Sequence, residues 1–390
     1  MPTTLKDEAA IIGIGETKYT KNSGVSELSL AVEAVSKAID DAGLEPHEVD
    51  GLVSFTLDTN DEVDIARAVG IGDVTFFSRI GYGGGAAIGV VHQAAMAVAT
   101  GAAKNVVVYR ALNGRSGQRY SQGVGGDIVT SDLIHWSWYM PWGLLTPTSW
   151  VAMFTQRYMH QYGAKAEDLA EVAITTRNHA VNNPAAFFYQ RPLSLDDYMT
   201  ARWIAEPMRL YDCCQETDGG CAAVITSAER ARDAKQTPAL VRGVSQAFAG
   251  DQEQMTSFYR DDITCLPEMD LVAKQLWATS GLGPGDIDAA VIYDAFTSIV
   301  LFQLESFGFC ERGEAKDFVK DGNLGLSGRL PTNTHGGQLS EAYIHGVNGI
   351  VEGTRMIRGT STNQPEKNDH VLVTAGVGVP TSAMVLGKMG

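Results

Sequence analysis

A run of glycines stands directly before a long apolar stretch, in the window GYGGGAA from Gly81 to Ala87. If the residues from Ala86 to Ala103 form a helix, this run leaves backbone N–H groups exposed at the positive end of that helix. Such groups stabilise an anion, or an oxyanion that develops during a reaction. The run is equally compatible with a tight turn that only lets the helix pack, and the residues alone leave both interpretations open.

The cysteines form no recognisable metal-binding pattern. Cys213 and Cys214 are adjacent and Cys221 follows seven residues later, without paired CxxC motifs or a Cys/His zinc spacing. We therefore expect no metal site. The segment GIGETK, Gly13 to Lys18, lacks the third glycine of a dinucleotide loop and is not followed by the Lys-Ser/Thr of a phosphate loop, which disfavours NAD and ATP.

The composition is that of a globular chain with two or three domains, or one large duplicated domain. The 390 residues are 44% hydrophobic and 19% charged, which is enough apolar material for a sizeable core. Thirty Lys and Arg against 46 Asp and Glu give a net charge of −16, which disfavours nucleic acid and an anionic membrane surface as partners. The few cysteines and the charged N-terminus without an apolar targeting core predict a cytoplasmic protein. The stretch 86–103 contains His92 and Gln93 and is barely of spanning length, so we predict a buried helix there and no membrane span.

A repeat organises the chain. Residues 30–55 and 269–293 each read as an amphipathic helix, a glycine stop, a proline turn and an apolar strand. They align at Gly43 and Gly281, an offset of 281 − 43 = 238 residues, which pairs Pro46 with Pro284. Chance similarity of two helix–turn–strand units is the alternative explanation.

The elements that follow each copy also correspond. The helix 86–103 and a strand 105–111 in the first half match a helix near 350–358 and a strand 370–375 in the second. Two similar α/β halves related by a pseudo-twofold axis are therefore predicted. The expected domains are an N-terminal half, an inserted loop domain and a C-terminal half, at residues 1–111 plus roughly 216–250, 112–215 and 251–390, respectively.

The insertion is rich in aromatic residues. It holds five of the six tryptophans of the chain: Trp136, Trp138, Trp142, Trp150 and Trp203. An aromatic stretch of this kind is a candidate wall for an apolar ligand. An interface or a satellite core is at least as good an interpretation from sequence.

These motifs together resemble the thiolase superfamily, in its sterol-carrier and lipid-transfer branch. The resemblance covers most of the chain and depends on five segments: Ile11 to Tyr19, Leu210 to Ala231, Val291 to Ile299, Pro331 to Gly337 and Thr374 to Pro380. It implies an α/β fold, a five-layered αβαβα sandwich of two duplicated halves with an inserted loop domain. This expectation agrees with the repeat and the insertion.

The departures from the family pattern concern its catalytic side chains. Thiolases carry a nucleophilic cysteine at the start of the buried helix, whereas the window Gly81 to Ala87 has no cysteine, serine or threonine. Tyr293, in YDAF, stands where the family has Asn or His, and Tyr343, in AYIHGVNG, stands at the place of the family's histidine. Ala375 replaces the second active cysteine. No acyl-enzyme can form at the usual position, because the thiolate is the required nucleophile.

The pattern is similar to that of the steroid side-chain-cleaving aldolases of this branch, which lack the catalytic cysteine. The resemblance implies retro-aldol cleavage of a β-hydroxy acyl-CoA with a steroid body, giving a 17-keto steroid and propionyl-CoA. Backbone N–H groups at two glycine turns would hold the enolate oxygen, and they belong to Gly83 or Gly84 and to Gly376 or Val377.

Tyr293 and Tyr343 are the expected base and acid, in an order that remains open. A free tyrosine has a pKa of about 10, so a base role needs a lowered pKa or a proton relay. Asp294 would oppose that role if its carboxylate pointed inward, and His335 or His345 could relay or polarise. Each tyrosine could instead be a core ring with a hydrogen-bonded hydroxyl.

The resemblance further implies a homodimer and a small partner protein built from an OB-fold and a zinc ribbon. CoA would enter only as part of the substrate, so no permanently bound cofactor is expected. Two alternatives stay open, which are a thiolase or acyltransferase of the sterol-carrier type that uses another cysteine, and a non-catalytic lipid-binding subunit.

Overall fold

The computed structural model describes residues 5–81, 83–117, 119–122, 137–253, 255–378 and 381–390. Within these residues the strands are β1 Ala9–Glu16, β2 Gly51–Phe55, β3 Phe76–Ile80, β4 Asn105–Asn113, β5 Trp203–Ala205, β6 Met208–Arg209, β7 Asp218–Ser227, β8 Ala239–Ala247, β9 Ala289–Val291, β10 His370–Ala375 and β11 Thr381–Lys388. The α-helices are α1 Glu27–Ala42, α2 Glu62–Val69, α3 Ala86–Thr100, α4 Pro147–Tyr162, α5 Ala166–Asn182, α6 Leu195–Thr200, α7 Ala228–Ala231, α8 Pro267–Ser280, α9 Thr297–Ser306, α10 Ala315–Phe318 and α11 Val347–Arg358. A short π-helix covers Gly337–Glu341.

The main sheet repeats one strand order twice. Its nine strands run β3-β2-β4-β7-β1-β8-β11-β10-β9. Read outward from the centre, β1-β7-β4-β2 and β8-β11-β10-β9 have the same pairing, which is antiparallel, antiparallel and then parallel. A parallel bridge from Ala290 to Thr332 takes the place that β3 has beside β2. The two halves are therefore copies of one α/β unit, as the repeat predicts.

The aligned repeat residues adopt the same local structure. Helix α1 begins after Ser26, whose hydroxyl caps the backbone N–H of Ser29, and ends at Gly43 with φ 73°. Helix α8 begins with Pro267, whose missing N–H costs nothing at a helix start, and ends at Gly281 with φ 72°. Both glycines adopt the left-handed conformation that terminates a helix.

Helices and strands alternate in five layers. Helix α1 packs on β1, β4 and β7, and α8 packs on β8 and β11. Helices α3 and α11 lie between the halves, because each contacts strands of both. Two β1–β8 residue pairs join the strands of the halves at the centre of the sheet. The layer order is the predicted αβαβα sandwich.

Helix α3 is buried over most of its surface. Its first six residues, 86–91, are all buried and pack among side chains of both halves, whereas residues 92, 93, 96 and 99 are partly exposed. No helix among the described residues has the length and apolarity to span a membrane.

Strand pairing corrects one predicted boundary. Strand β8 falls within residues 216–250, which the sequence places in the first half, but it pairs with β11 over nearly its whole length. Its pairing with β1 covers only two positions. Strand β8 therefore begins the second structural unit, and the boundary lies before Ala239.

The tryptophans of the insertion occupy different environments. Trp150 is buried, and its indole N–H donates to the carbonyl of Leu144 at 3.0 Å. Trp138 and Trp142 are 74% and 86% exposed. Trp136 lies outside the described residues. Trp150 is thus a core residue, and the exposed pair is better suited to an interface than to the wall of an internal pocket.

Candidate active site

The phenol groups of Tyr293 and Tyr343 meet. Their oxygen atoms are 3.3 Å apart, and either can donate the hydrogen bond. Tyr293 follows β9, and Tyr343 lies in the loop that leads into α11. Tyr293 is 3% exposed, whereas Tyr343 is partly exposed. The structure thus brings together the two tyrosines that the sequence selects, fifty residues apart.

Tyr293 stands where a side chain at position 84 would have to be. A Cβ atom built on Gly84 would lie 1.7 Å from the phenol oxygen of Tyr293. No pair of non-bonded atoms can approach so closely, so the phenol occupies the space that a residue larger than glycine would need. The tyrosine after β9 therefore requires a glycine at position 84, at the start of α3.

The backbone of Tyr293 is fixed on both sides. Its N–H donates to the hydroxyl of Thr374 at 3.0 Å, and its carbonyl accepts from the Gln303 side chain at 2.7 Å. Thr374 in turn donates to Gln303 at 2.5 Å. All three residues are buried. This closed set of hydrogen bonds ties the end of β9 to the end of β10.

A residue of the first half binds the backbone of Tyr343. Its backbone N–H donates to the Thr217 hydroxyl at 2.9 Å, just before β7 begins. Its ring lies edge-on to the ring of His345, with 4.9 Å between the centroids. The pair of phenols therefore sits at the junction of the two halves.

His345 is buried against a charged pair. Its Nδ1 accepts a hydrogen bond from Nε of Arg110 at 3.0 Å, and Arg110 forms a buried ion pair with Asp58 at 2.9 Å. Burial, followed by the nearby Arg110 charge, holds the pKa of His345 well below its usual range. Its Nε2 lies 3.6 Å from the position of a Cβ on Gly83. His345 is neutral and faces the glycine turn.

The carboxylate of Asp294 binds the backbone at the start of the π-helix. Its carboxylate accepts the backbone N–H groups of Gln338 at 2.7 Å and Leu339 at 3.4 Å, at the start of the π-helix. A Cβ on Gly337 would lie 2.0 Å from that carboxylate, so only glycine fits there. Burial raises the pKa of Asp294 to about 7, although the two backbone hydrogen bonds favour its charged form.

His335 lines a small cavity behind Tyr293 but is itself deeply buried. The cavity is also bordered by Asp294, Gln338 and Asn348. Burial lowers the pKa of His335 to about 3, and its Nε2 lies 3.7 Å from a carboxylate oxygen of Glu341. The neutral ring is buried in the loop between β9 and α11, and its Nδ1 has no hydrogen-bond partner among the described residues.

The second glycine turn begins where β10 ends. Gly376 has φ 128°, a backbone conformation that favours glycine. Val377 borders a partly open cavity that is also lined by Phe154, Met255 and Ile299. Gly376 comes two residues after Thr374, which holds Tyr293, so the β10 turn lies beside the phenols.

Burial raises the pKa of all five thiols. The pKa is about 11 for Cys265 and about 12 for Cys213 and Cys310, and the pKa values of Cys214 and Cys221 are raised well above the ordinary value of a thiol. A thiol in this state is a poor nucleophile near neutral pH. The structure gives no support to a thiolase reaction that uses another cysteine.

Asp58 and Arg110 were not singled out by the sequence reasoning. The signal was present, because Arg110 is the one charged residue in the apolar strand NVVVYRALN of β4. A charge in such a strand is costly unless it is paired. Thr217 and Thr374 left no comparable signal, since small hydroxyl residues are common at strand ends.

Comparison with known proteins identifies the family of the chain. The thiolase C-terminal domain-like family matches residues 249–388. The chain is 60% identical over 387 residues to a steroid side-chain-cleaving aldolase of Thermomonospora curvata, with 99% of both chains covered. It is 56% identical over 385 residues to the 17-hydroxy-3-oxo-4-pregnene-20-carboxyl-CoA lyase of Mycobacterium tuberculosis, covering 98% of this chain and all of that one.

Solved structures agree as well. An Ltp2-ChsH2(DUF35) aldolase superposes with a TM-score of 0.95 at 59% identity, covering 99% of both chains. Human mitochondrial 3-ketoacyl-CoA thiolase superposes with a TM-score of 0.69 at 14% identity over both full chains, which shows a shared fold only. The chain therefore belongs to the steroid side-chain-cleaving aldolases, a branch of the thiolase superfamily.

Proposed function

We propose that this chain is a carbon–carbon lyase that cleaves a β-hydroxy acyl-CoA with a steroid body by a retro-aldol reaction. The products are a 17-keto steroid and propionyl-CoA, as in bacterial sterol side-chain degradation. The observation that carries the proposal is the phenol pair of Tyr293 and Tyr343, which lies at the glycine turn before α3, where the sequence has no cysteine, serine or threonine. The two relatives named as an aldolase and a lyase support it over the full chain.

The reaction needs a base, an oxyanion site and an acid. The base removes the proton of the tertiary hydroxyl at the β-carbon, and the electrons of that O–H bond form the ketone. The bond between the α- and β-carbons breaks, and its electron pair becomes the enolate of the short acyl-CoA. An acid then protonates the α-carbon, so that no water and no redox partner is consumed.

The phenol pair can supply both proton transfers. With 3.3 Å between the oxygen atoms, a proton accepted by one phenol can pass directly to the other. Tyr343 is partly exposed, whereas Tyr293 is buried. A positioned acid or base commonly contributes a factor of about 10²–10⁴ in rate.

Backbone N–H groups at the two glycine turns hold the enolate oxygen. Gly83 and Gly84 lie at the N-terminal end of α3, where a helix offers N–H groups that lack intrahelical partners. Gly376 and Val377 follow β10 on the other side of the phenols. Loss of one such donor typically costs about 10²–10³ in rate.

The apolar cavity beside Val377 is suited to receive part of the steroid. Phe154, Met255 and Ile299 contribute to its wall, together with the ion pair Arg260–Glu268. Flat fused rings are bound by apolar walls of this kind. No permanently bound cofactor is needed for the reaction, since CoA arrives as part of the substrate.

We propose further that the active form contains a second subunit. The related structure is described as an Ltp2-ChsH2(DUF35) aldolase, and the small OB-fold and zinc-ribbon protein expected from the resemblance fits that description. The exposed Trp138 and Trp142 on the insertion offer an apolar surface for it.

A homodimer would be formed through the thiolase core. Strand β3 is an edge strand, and none of its five residues is buried. Phe77 within it is 71% exposed. An exposed edge of this kind pairs readily with a second chain. The free state of all five cysteines is in keeping with the reducing cytoplasm that we propose as its compartment.

The proposed function is tested by supplying the substrate directly. The chain, with its second subunit, is incubated with 17-hydroxy-3-oxo-4-pregnene-20-carboxyl-CoA, and the products are identified by mass spectrometry. We expect a 17-keto steroid and propionyl-CoA in equal amounts. Binding without cleavage would favour a non-catalytic subunit, and a covalent acyl adduct on the chain would favour a thiolase.

A further inference from the structure

Asp58, Arg110 and His345 form a buried line of hydrogen bonds for which the proposed reaction gives no role. Arg110 donates through one terminal nitrogen to Asp58 at 2.9 Å and to the carbonyl of Ala111 at 2.9 Å. Its Nε donates to His345 at 3.0 Å. The other carboxylate oxygen of Asp58 accepts from Asn60. Asp58, Arg110 and His345 are 3%, 2% and 2% exposed.

This line of contacts fixes the tautomer of His345. A guanidinium has donors only, so the ring nitrogen that faces Arg110 must accept. Nδ1 of His345 therefore carries no proton, and the proton of the neutral ring is on Nε2. A second proton on Nδ1 would confront the Arg110 donor, and the burial and charge that lower the pKa of His345 act in the same direction.

The ring of His345 lies beside the glycine turn. His345 has φ 50°, in the left-handed region that is uncommon for residues other than glycine, although Asn, Asp and His adopt it more often than most. Uncommon backbone conformations are frequent at functional sites. The ring is packed between Tyr343 and Phe55, at centroid distances of 4.9 and 6.3 Å, and its Nε2 is close to Gly83.

We infer that Asp58 and Arg110 are positioning residues that hold His345 as a neutral donor, and that its Nε2–H binds the substrate's thioester oxygen and stabilises the enolate. This inference rests on the proposed function. His345 is then a catalytic residue that neither gives nor takes a proton, in contrast to the two phenols. A neutral imidazole is a suitable donor to an enolate oxygen, because it stays uncharged when the negative charge develops.

Two replacements of His345 separate the donor role from the alternatives. In H345Q the amide nitrogen reaches the place of Nε2, whereas the H345N side chain ends at the place of Nδ1, where its oxygen accepts from Arg110 and no donor reaches the place of Nε2. Asn suits the left-handed backbone best, so H345N should fold at least as well as the wild type, which thermal unfolding checks. We expect H345Q to keep about a tenth or more of the wild-type kcat and H345N to lose about 10²–10³. Near wild-type kcat in H345N would make the residue structural, and equal loss in both variants would mean that proton transfer by the imidazole is required; either result overturns the inference.

The tautomer itself is measured on the wild-type protein by NMR of ring-¹⁵N-labelled histidine, with H345N to assign the signal. We expect an unprotonated Nδ1 and a protonated Nε2 from pH 6 to 9. The double variant D58N/R110M, which leaves no charge unpaired, should show a mixture of tautomers and a kcat about tenfold lower, with KM changed less. A protonated Nδ1 in the wild type would overturn the inference. Absence of ketone formation by the wild type would instead refute the proposed function and leave the tautomer result standing.

Discussion

Tyr293 and Gly84 occupy a space that admits only one side chain. The sequence shows the absence of a nucleophile and the presence of a tyrosine at two positions far apart, but not that these are one feature. The structure connects them, because a Cβ at position 84 and the phenol oxygen would be 1.7 Å apart. The family resemblance could select Tyr293 and Tyr343, because they stand at the places of polar side chains of the family pattern, whereas the order of proton transfer depends on a substrate pose.

Replacing either phenol tests its role. Y293F and Y343F each remove one hydroxyl and keep the ring, so the fold should persist. We expect kcat to fall by about 10²–10⁴ in each, the usual range for an acid or base, measured by propionyl-CoA release. Y162F is the control, since the Tyr162 hydroxyl is 3.4 Å from Thr264 at the end of α4, and it should leave kcat unchanged. Full activity in Y293F and Y343F would remove the phenols from the mechanism.

A methyl group at position 84 should displace the phenol. We expect G84A to lose most activity and to unfold at a lower temperature, because the Tyr293 ring must move. In the Y293A background the same substitution should cost much less stability, which a double-mutant cycle would reveal. G81A is the matched control, because a Cβ there has no atom within 4 Å. Equal destabilisation by G84A in both backgrounds would contradict the shared space.

Asp294 should make stability fall as pH rises. Burial raises its pKa from 3.8 to about 7 in the folded chain, so the folded state keeps a proton that the unfolded state has lost. The Asp294 contribution is full below about pH 4 and is lost as pH rises through 7, by up to about 1.4 kcal/mol per pH unit. D294N lacks this dependence, so its stability relative to wild type should improve from pH 4 to 7 in denaturant titrations.

The effect of His335 on the pH dependence of stability is opposite to that of Asp294. With its pKa lowered to about 3, it reduces stability as pH falls below 6.5, but it does so equally in wild type and D294N. The comparison therefore isolates Asp294. A stability difference that does not change between pH 4 and 7 would show that its carboxyl group is not perturbed.

At the scale of elements, helix α11 directly follows the loop that contains Tyr343 and His345. Its Gly349 and Gly353 are one turn apart and face the second half of the sheet, where added Cβ atoms would lie 2.9 Å from Val291 and 2.6 Å from Val373. These glycines let the helix approach the strands closely. The position of the helix then fixes the position of the two side chains just before it.

A larger residue on this face should disturb the site from a distance. G353V should cost about 1–3 kcal/mol by overpacking and should also lower kcat, although residue 353 does not touch the phenols. Denaturant unfolding and steady-state kinetics measure the two effects. G250V is the control, because a Cβ at Gly250 has open space around it. Unchanged kcat in a destabilised G353V would show that the helix position does not control the site.

Most elements could be predicted because their signals are local. Helix α3, Ala86–Thr100, falls within the predicted helix 86–103, and the glycine stops at Gly43 and Gly281 define helix ends. The helix predicted near 350–358 begins earlier, at Val347, so Gly349 lies inside α11, since the cost of one glycine in a helix is outweighed by packing. Strand β8 was placed in the wrong half because strand pairing is set by distant partners, here β11.

At the scale of the whole molecule, duplication explains why one site exists at the centre. The turn before α3 and the loop before α11 are equivalent parts of the two units, and both approach the same point. Arg110 of the first half and His345 of the second meet across it at 3.0 Å. Sequence repeats predicted two halves, but contacts between them left no pattern that a single sequence reveals.

The edge strand should govern assembly. F77D places a charge on β3, at a side chain that is 71% exposed in the single chain. If β3 pairs in a homodimer, the variant should be monomeric by light scattering, with an unchanged circular dichroism spectrum. V63D is a control on α2, where a side chain is similarly exposed, at 67%. An F77D protein that remains dimeric would place the dimer interface elsewhere.

The central claim is that two phenols and backbone donors break a carbon–carbon bond without a thiol nucleophile. The most direct test is a single turnover in D₂O, with intact-protein and product mass spectrometry on the same sample. The account predicts propionyl-CoA with one deuterium at its α-carbon, an unlabelled 17-keto steroid and no mass added to the chain. An acyl group covalently attached to a cysteine, or propionyl-CoA without deuterium, would contradict it.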